Sequence, residues 1–394
     1  MLVALASCVA ASGGCQPPPQ PLHWSVRRGL VGEFVTQGAT VFTVGDRVAV
    51  HDTATGQQRR STRLPADLAD ITRGQLGPRA AIAGQTLVFG WYDFASETGT
   101  LFCVDTATLE TRWQWRIRWA WTERSLRPTL AVAADAERVY AAAVGKDADN
   151  LFAFRLGDGA LAWSRNVERF PAEAALALHD GRLIVRSQLW ARPGDRHQQL
   201  DAIRARDGLR LWRTWLTGEA KRHLDPPVIH DGQLYTSTRE NTTRGRLFTV
   251  RLADGHTTSV DVETSGSPFA RHGDVLYLGG AAPLAFDLRA HRELWRTPLA
   301  DAGDTSPPMI AGGALDPRNR LVYVADSQRY VYALDAATGT LRHRLRLDGY
   351  PRFEFLSPLK ALYGSYGARR LETRDGLLFV GTADASLFVF RATP

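Results

Sequence analysis

The chain has 394 residues, 44% of them hydrophobic and 23% charged, the make-up of a core-forming globular protein. No internal apolar run reaches the roughly 18 residues that a membrane-spanning helix needs. The formal charge is +7, yet only three of the 48 basic residues are lysine (Lys146, Lys221, Lys360) and the arginines are scattered. The basic run typical of nucleic-acid binders is therefore missing, and a nucleic-acid partner is not expected.

The N-terminus, MLVALASCVAASGGCQPPPQP, is a short apolar stretch followed by small residues, a cysteine and a proline-rich linker. It is too short to span a bilayer and resembles the end of a secretory signal. Residues 1–15 read as a signal and lipidation segment, and 16–21 as a linker. Two cysteines compete as the lipidated residue. Leu5-Ala6-Ser7-Cys8 matches the bacterial lipobox by residue type. Cys15, after Ser12-Gly13-Gly14, stands at the better distance and directly precedes the linker. No Lys or Arg precedes the apolar part, so the usual positive segment is missing. The expected location is the periplasm or outer membrane, with a lipid anchor. Cys103 is then the one thiol of the mature chain. It sits in the apolar strand LFCVD, where a buried, inert cysteine is expected, and no Cys/His spacing suits zinc.

From residue 22 onward one unit recurs. It reads AVHDTATGQQRR, FCVDTATLETRW, AFRLGDGALAW, AIRARDGLRLW, TVRLADGHTTS, AFDLRAHRELW and YVYALDAATGTLRH, and the chain closes on VFRATP. The aligned positions Asp52, Asp105, Arg155, Arg204, Arg251, Asp287, Asp335 and Arg391 recur at a mean spacing of about 48 residues, in the range of propellers and solenoids. Each unit has two short apolar strands joined by a polar turn, then a tight turn. Gly56, Gly159, Gly208, Gly255 and Gly339 supply the positive φ of that turn. A last strand carries Trp113, Trp163, Trp212 or Trp295 four residues past the glycine position. An apolar segment, often introduced by proline as in LRPTLAVAA or LDPPVIHDG, precedes each unit and supplies a further strand. A lone four-stranded sheet has two faces to bury, so the copies must stack face to face. The expected fold is all-β: an eight-bladed β-propeller of four-stranded antiparallel blades over residues 22–394.

The eighth copy stops just after its third strand. LHWSVRRGLV, residues 22 to 31, resembles LWRTWL and LWRTPL, with Trp24 in the position of Trp212 and Trp295. The N-terminal strand is therefore expected to pair with the last blade and close the ring.

The LDAATG turn with its preceding LVYVADSQRYVY, and the tryptophan four residues beyond the turn, resemble the repeats of the pyrroloquinoline-quinone-type propeller superfamily. In that family the tryptophan wedges between neighbouring blades. The resemblance implies one of two activities. Quinoprotein dehydrogenases clamp a quinone under adjacent cysteines, beside calcium and a carboxylate base; this chain has no Cys-Cys pair. Outer-membrane assembly lipoproteins of the BamB type bind protein and carry no cofactor. The N-terminal segment followed by one propeller has the layout of the second group.

Three stretches suggest surfaces. RWQWRIRWAW (112–121) would place Trp113, Trp115, Ile117, Trp119 and Trp121 on one face of a strand, either as a partner surface or as packing between blades. The link 347–376 is long, and mixes Tyr350 with Arg352, Phe353, Phe355, Lys360, Tyr363, Tyr366, Arg369 and Arg370, the composition of binding hot spots. The loops 187–199 and 237–246 are polar and read as solvated hairpins. The histidines are dispersed, with no metal-ligand spacing. The resulting expectation is a monomeric, lipid-anchored, non-catalytic protein-binding scaffold without cofactor or metal, its partner an outer-membrane β-barrel assembly component. The alternatives are a periplasmic quinone-dependent dehydrogenase, or an envelope propeller with another protein or glycan partner.

Overall fold

In a computed structural model of the chain, the structure describes residues 22–26, 33–45, 47–64, 74–76, 80–93, 98–118, 130–143, 149–167, 174–190, 196–218, 227–240, 244–264, 266–280, 282–299, 312–325, 330–347, 368–382 and 386–392. The described residues hold 33 strands and no helix. β1 (Leu22–Val26) is followed by blade 1: β2 (Glu33–Gln37), β3 (Thr40–Val44), β4 (Arg47–Asp52) and β5 (Gln58–Arg63). Blade 2 has β6 (Gly74–Leu76), β7 (Ala81–Ala83), β8 (Thr86–Asp93), β9 (Thr98–Asp105) and β10 (Thr111–Arg118). Blade 3 has β11 (Leu130–Ala134), β12 (Arg138–Ala143), β13 (Leu151–Arg155) and β14 (Leu161–Arg165). Blade 4 has β15 (Ala174–His179), β16 (Arg182–Trp190), β17 (Arg196–Arg204) and β18 (Arg210–Thr217). Blade 5 has β19 (Val228–His230), β20 (Gln233–Arg239), β21 (Gly245–Arg251) and β22 (Thr257–Val262). Blade 6 has β23 (Pro268–His272), β24 (Val275–Leu278), β25 (Leu284–Asp287) and β26 (Arg292–Arg296). Blade 7 has β27 (Gly312–Asp316), β28 (Leu321–Ala325), β29 (Tyr330–Asp335) and β30 (Leu341–Arg346). Blade 8 has β31 (Ala368–Arg374), β32 (Leu377–Thr382) and β33 (Leu387–Arg391).

Every blade is an antiparallel meander. The eighth takes its fourth strand from the other end of the chain: β1 pairs with β33, Trp24 opposite Val389 and Val26 opposite Leu387. Blade 2 departs from the expected four strands only in its inner edge. That edge is split into β6 and β7, which pair with opposite ends of β8. First strands of neighbouring blades touch, β11 with β15, β23 with β27 and β27 with β31. The blades therefore converge on their first strands and fan out toward their fourth.

The apolar residues of each strand face alternately the preceding and the following blade, so the core lies between blades. Eight apolar clusters fill the eight seams. Phe34 and Val41 of blade 1 meet Phe379, Leu387 and Val389 of blade 8, so the closing seam is packed like the others.

Two charge patterns build the turn between third and fourth strands. Asp52, Asp105 and Asp335 accept backbone N–H groups within their own turns. Each also pairs with the arginine seven residues on: Arg59, Arg112 and Arg342. Blades 3 to 5 invert the order. Arg155, Arg204 and Arg251 stand at the aspartate position and pair with Asp158, Asp207 and Asp254 three residues on. Those aspartates cap the turn from its other side, accepting the N–H of Ala160, Leu209 and His256. The guanidinium of Arg112 and the Thr108 N–H hold the Asp105 carboxyl down at about 2. Arg342 holds Asp335 likewise at about 2.

The tryptophans clasp one blade to the next. Trp24, Trp113, Trp163, Trp212 and Trp295 each donate an indole N–H to a turn carbonyl of the following blade, at 2.9–3.0 Å: Thr53, Leu156, Ala205, Leu252 and Ala336. Each indole lies on the glycine of that turn. A Cβ there would meet ring carbons at 2.5 Å at Gly56, 2.6 Å at Gly159 and Gly339, 2.8 Å at Gly255 and 2.9 Å at Gly208. At two of the remaining seams both partners change together. Arg60 and Ser259 stand at the tryptophan position, and the turns they face carry Leu109 (φ 64) and His291 (φ 52) at the glycine position. Where no indole covers the turn, a side chain fits. At the seam into blade 8, His343 takes the tryptophan position. Asn319 there donates to the Ala392 carbonyl at 2.7 Å, the place an indole serves elsewhere.

Candidate functional site

A meander puts all first-to-second and third-to-fourth turns on one face of the ring. Second-to-third links and blade-to-blade links emerge on the other. The first face is made of tight turns such as Asp180-Gly181 and Asp231-Gly232. The second carries the longer and more varied connections, the usual seat of recognition on a rigid scaffold. β8, β9, β16 and β17, with eight or nine residues each, reach furthest toward it.

The link expected over 347–376 is shorter in the structure: Ala368–Arg374 form β31 and Asp375-Gly376 the next turn, so residues 347–367 connect β30 to β31. Arg352, Phe353, Phe355, Lys360, Tyr363 and Tyr366 lie outside the described residues, as does the side chain of Arg369. Arg370, on β31, is placed in detail. Its guanidinium donates to the Phe34 carbonyl at 2.7 Å and stacks over the Phe34 ring, 4.9 Å from its centroid. It pairs with Glu33 at 3.4 Å and Glu372 at 3.3 Å. Arg374 donates to the Thr36 hydroxyl at 3.1 Å, and that hydroxyl donates to Glu372. This half-buried network joins the first strands of blades 8 and 1, so Arg370 braces the closing seam from inside. Charges from opposite ends of the chain meet there, which residue-by-residue reading could not bring together.

A second polar cluster lies on the loop side of blades 4 to 6. Arg186, 1% exposed, donates to Gln198 Oε1 at 2.8 Å and to the Ser237 carbonyl of blade 5 at 3.1 Å. Ser237 Oγ donates to Gly266 O at 2.8 Å, toward blade 6. On the opposite face of blade 4, Arg213 pairs with the buried Asp201 at 2.7 Å, and Gln199 donates to Asp201. The register of the second strands places Val44, Gly90, Ala142, Ser237, Gly279, Ala325 and Gly381 at the position of Arg186. Where the position is glycine in blades 2 and 8, a Cβ would strike the next blade's first strand, at Leu130 (2.7 Å) and Phe34 (2.9 Å). Blade 5's first strand, β19, has only three residues. The long Arg186 side chain stands where that strand is short. An arginine among seven small residues was the available signal, visible only once the strands are in register.

Trp113 and Trp115 pack on Phe152 and Phe154 of blade 3, Trp115 within 4.8 Å of both ring centroids. That part of RWQWRIRWAW is packing between blades. Trp119 and Trp121 lie outside the described residues, as does the Ile117 side chain. Cys103 is buried opposite Trp113, and burial pushes its thiol up to about 12. Among the described residues no group of three or more His, Cys, Asp or Glu could hold a metal ion. An open cleft of about 380 Å³ on the turn face is lined by Glu137, Arg138, Arg155, Gly157 and Asp158; its charges pair with one another.

An eight-bladed ring of four-stranded sheets, closed by its own first strand, defines a propeller of the quinoprotein-like class. The chain belongs to the family described as outer membrane protein assembly factor BamB, whose model matches residues 20–258 and 97–315. Among solved structures it resembles BamB from Moraxella catarrhalis, with 14% identity over 94% of this chain and 99% of that chain and a TM-score of 0.63. The quinohemoprotein alcohol dehydrogenase ADHIIG from Pseudomonas putida HK5 shares 11% identity over 94% of this chain and 76% of its own, at a TM-score of 0.61. The computationally designed Ika8 protein shares 12% identity over 93% and 97%, at 0.63. At these identities the likeness is one of fold. No curated protein matches the chain.

Proposed function

We propose that the chain is a non-catalytic protein-binding scaffold of the bacterial envelope, acting in the assembly of outer-membrane β-barrels. The observation that carries this reading is the family match over residues 20–258 and 97–315. Cys15 or Cys8 would bear the lipid anchor, and the aromatic and basic link 347–367, with Arg369 beside it, would supply partner contacts on the loop face. Crosslinked pull-down from membranes through a C-terminal tag tests it, with bound proteins identified by mass spectrometry. Recovery of a large outer-membrane β-barrel and its lipoproteins is expected, with capture reduced in Arg352→Glu/Arg369→Glu. Arg370 stays intact in that variant because it braces the seam. Failure to recover any barrel component would sink the reading.

The likeness to ADHIIG supports a second reading, a quinone-dependent dehydrogenase. Calcium beside a quinone needs several converging oxygen ligands. The described residues offer no carboxylate cluster of that kind, and the three cysteines at 8, 15 and 103 are not adjacent. Among the described residues the donor set does not fit the group. Titration of the purified chain with quinone and calcium, followed by absorbance, separates the two readings.

A further inference from the structure

Fourth strands form the outer rim, and each leaves one edge without a strand partner among the described residues. Proteins blunt such edges with charge, short length or bulges. β5 (QRRSTR) and β30 (LRHRLR) are rich in arginine. β10 is as long as β18, but Arg112 and Arg116 are exposed along it and its Trp113 and Trp115 pack inward. β18 (RLWRTWLT) differs. It is eight residues long, Leu211 is 40% and Trp215 46% exposed, and Leu209 just before it is 49% exposed.

The surrounding charge is one-sided. Arg204 and Arg206 share the single Asp207, at 2.8 and 3.6 Å. Arg210 is exposed and pairs with no acid among the described residues. Arg165 of blade 3 donates to the Asp207 and Gly208 carbonyls at 2.9 and 3.1 Å, adding a further cation. The remaining arginine of the strand, Arg213, is matched by Asp201. The surface is therefore an open strand edge with two large apolar side chains about 13 Å apart, set in net positive charge.

We propose that the outer edge of β18 is a docking strand for an extended segment of a partner protein that carries large apolar residues along one face and acidic residues at the end nearest the Asp207-Gly208 turn. The partner's backbone would pair with β18 beyond the bulge at Leu211. Its apolar side chains would cover Leu211 and Trp215, and its carboxylates would meet Arg206 and Arg210. This site lies on the rim, apart from the loop face, and does not depend on the barrel-assembly reading.

The test uses the purified chain and two capped eight-residue peptides of alternating Phe and Thr, one with a Glu pair at its N-terminal end and one with it at its C-terminal end. Binding is followed by Trp fluorescence and by protection of the β18 amides from hydrogen exchange. The expected result is protection confined to β18, with affinity at least tenfold weaker for Trp215→Thr. Arg210→Glu should reverse the preference toward the same peptides with Lys in place of Glu. Folding of both variants is checked by their unchanged exchange at the blade 1 strands. Equal binding by wild type and both variants would overturn the proposal. So would protection elsewhere on the ring, or binding of anionic lipid vesicles without binding of either peptide.

Discussion

At the scale of single residues, the glycine of each clasped turn does two separable jobs. It adopts a positive φ, +74 at Gly208, and it leaves room for the Trp163 ring. Gly38 has a positive φ of +56 but nothing within 4 Å of its missing Cβ, so Gly38→Ala measures backbone strain alone, about 1 kcal/mol. Gly208→Ala should cost at least about 2 kcal/mol, because the indole must also move. His291→Gly, at the equivalent turn position with no indole above it, should be neutral or stabilising by up to about 1 kcal/mol. Denaturant unfolding of the three variants checks the order; equal losses at Gly208 and Gly38 would mean the clasp adds nothing. His51 gives a pH signature at the closing seam. It is buried, its ring stacks with Trp24 at 6.3 Å, and its nitrogens bond the Thr43 hydroxyl (3.1 Å) and Gly56 carbonyl (3.3 Å). Burial lowers its pKa below 6.5, against a smaller raising effect from the Gly56 carbonyl. A lowered folded pKa means the unfolded chain takes up the proton first. The stability that His51 protects is thus complete above pH 6.5 and lost as pH falls below it, at a slope of at most about 1.4 kcal/mol per pH unit. Unfolding free energies at pH 7.5, 6.5 and 5.5 should show a shallower decline in His51→Gln than in the wild type.

At the scale of elements, strands and turns were legible because their signals are local. Alternating apolar residues, the aspartate and glycine of the turn, and the tryptophan beyond it all lie within about a dozen residues. The two charge patterns of the turn were also present in the sequence, as Asp335 with Arg342 and as Arg251 with Asp254. Their equivalence shows only when both carboxylates are seen capping the same turn from opposite sides. The Arg186 cluster was not legible, since it depends on which residue of one blade faces a short strand of the next. Its energetics give a direct test. A buried guanidinium held by Gln198 and a carbonyl is tolerable, whereas one deprived of an acceptor is not. Gln198→Leu should therefore destabilise by about 2–4 kcal/mol. Arg186→Met/Gln198→Leu together should recover a large part of that loss, because no charge is left to satisfy. A double variant no more stable than Gln198→Leu alone would show that the arginine is not the group being satisfied.

For the whole molecule, blade number and closure were readable because eight copies leave one fourth strand unaccounted for and Trp24 supplies it. The binding face was not readable to the same degree. Arg370 and Glu33, 337 positions apart, meet only after the ring closes, and a linear pattern carries no trace of such a meeting. Closure also sets how the ring resists opening. Leu22 lies opposite Phe390 and Val26 opposite Leu387, so the strands that bring the two ends of the propeller together are neighbours. If pairing and the Trp24 clasp hold the ring, the point at which the chain is interrupted should matter little. A permutant joining Ala392 to Leu22 through a D-x-x-T-G turn, and opened between the exposed Asp180 and Gly181, keeps every strand pair. The cut also releases Asp180 from a left-handed φ of 45. It should fold and unfold cooperatively, with stability within about 2 kcal/mol of the parent, as exposed turns usually permit. Trp24→Ala leaves the chain order intact but removes the clasp and a partly buried indole from the closing seam, and should cost about 3 kcal/mol or more. Denaturant unfolding compares the two. A stable permutant with a weakened Trp24 variant means that side-chain packing at the seam closes the ring. The reverse order of stabilities would mean that chain connectivity does so.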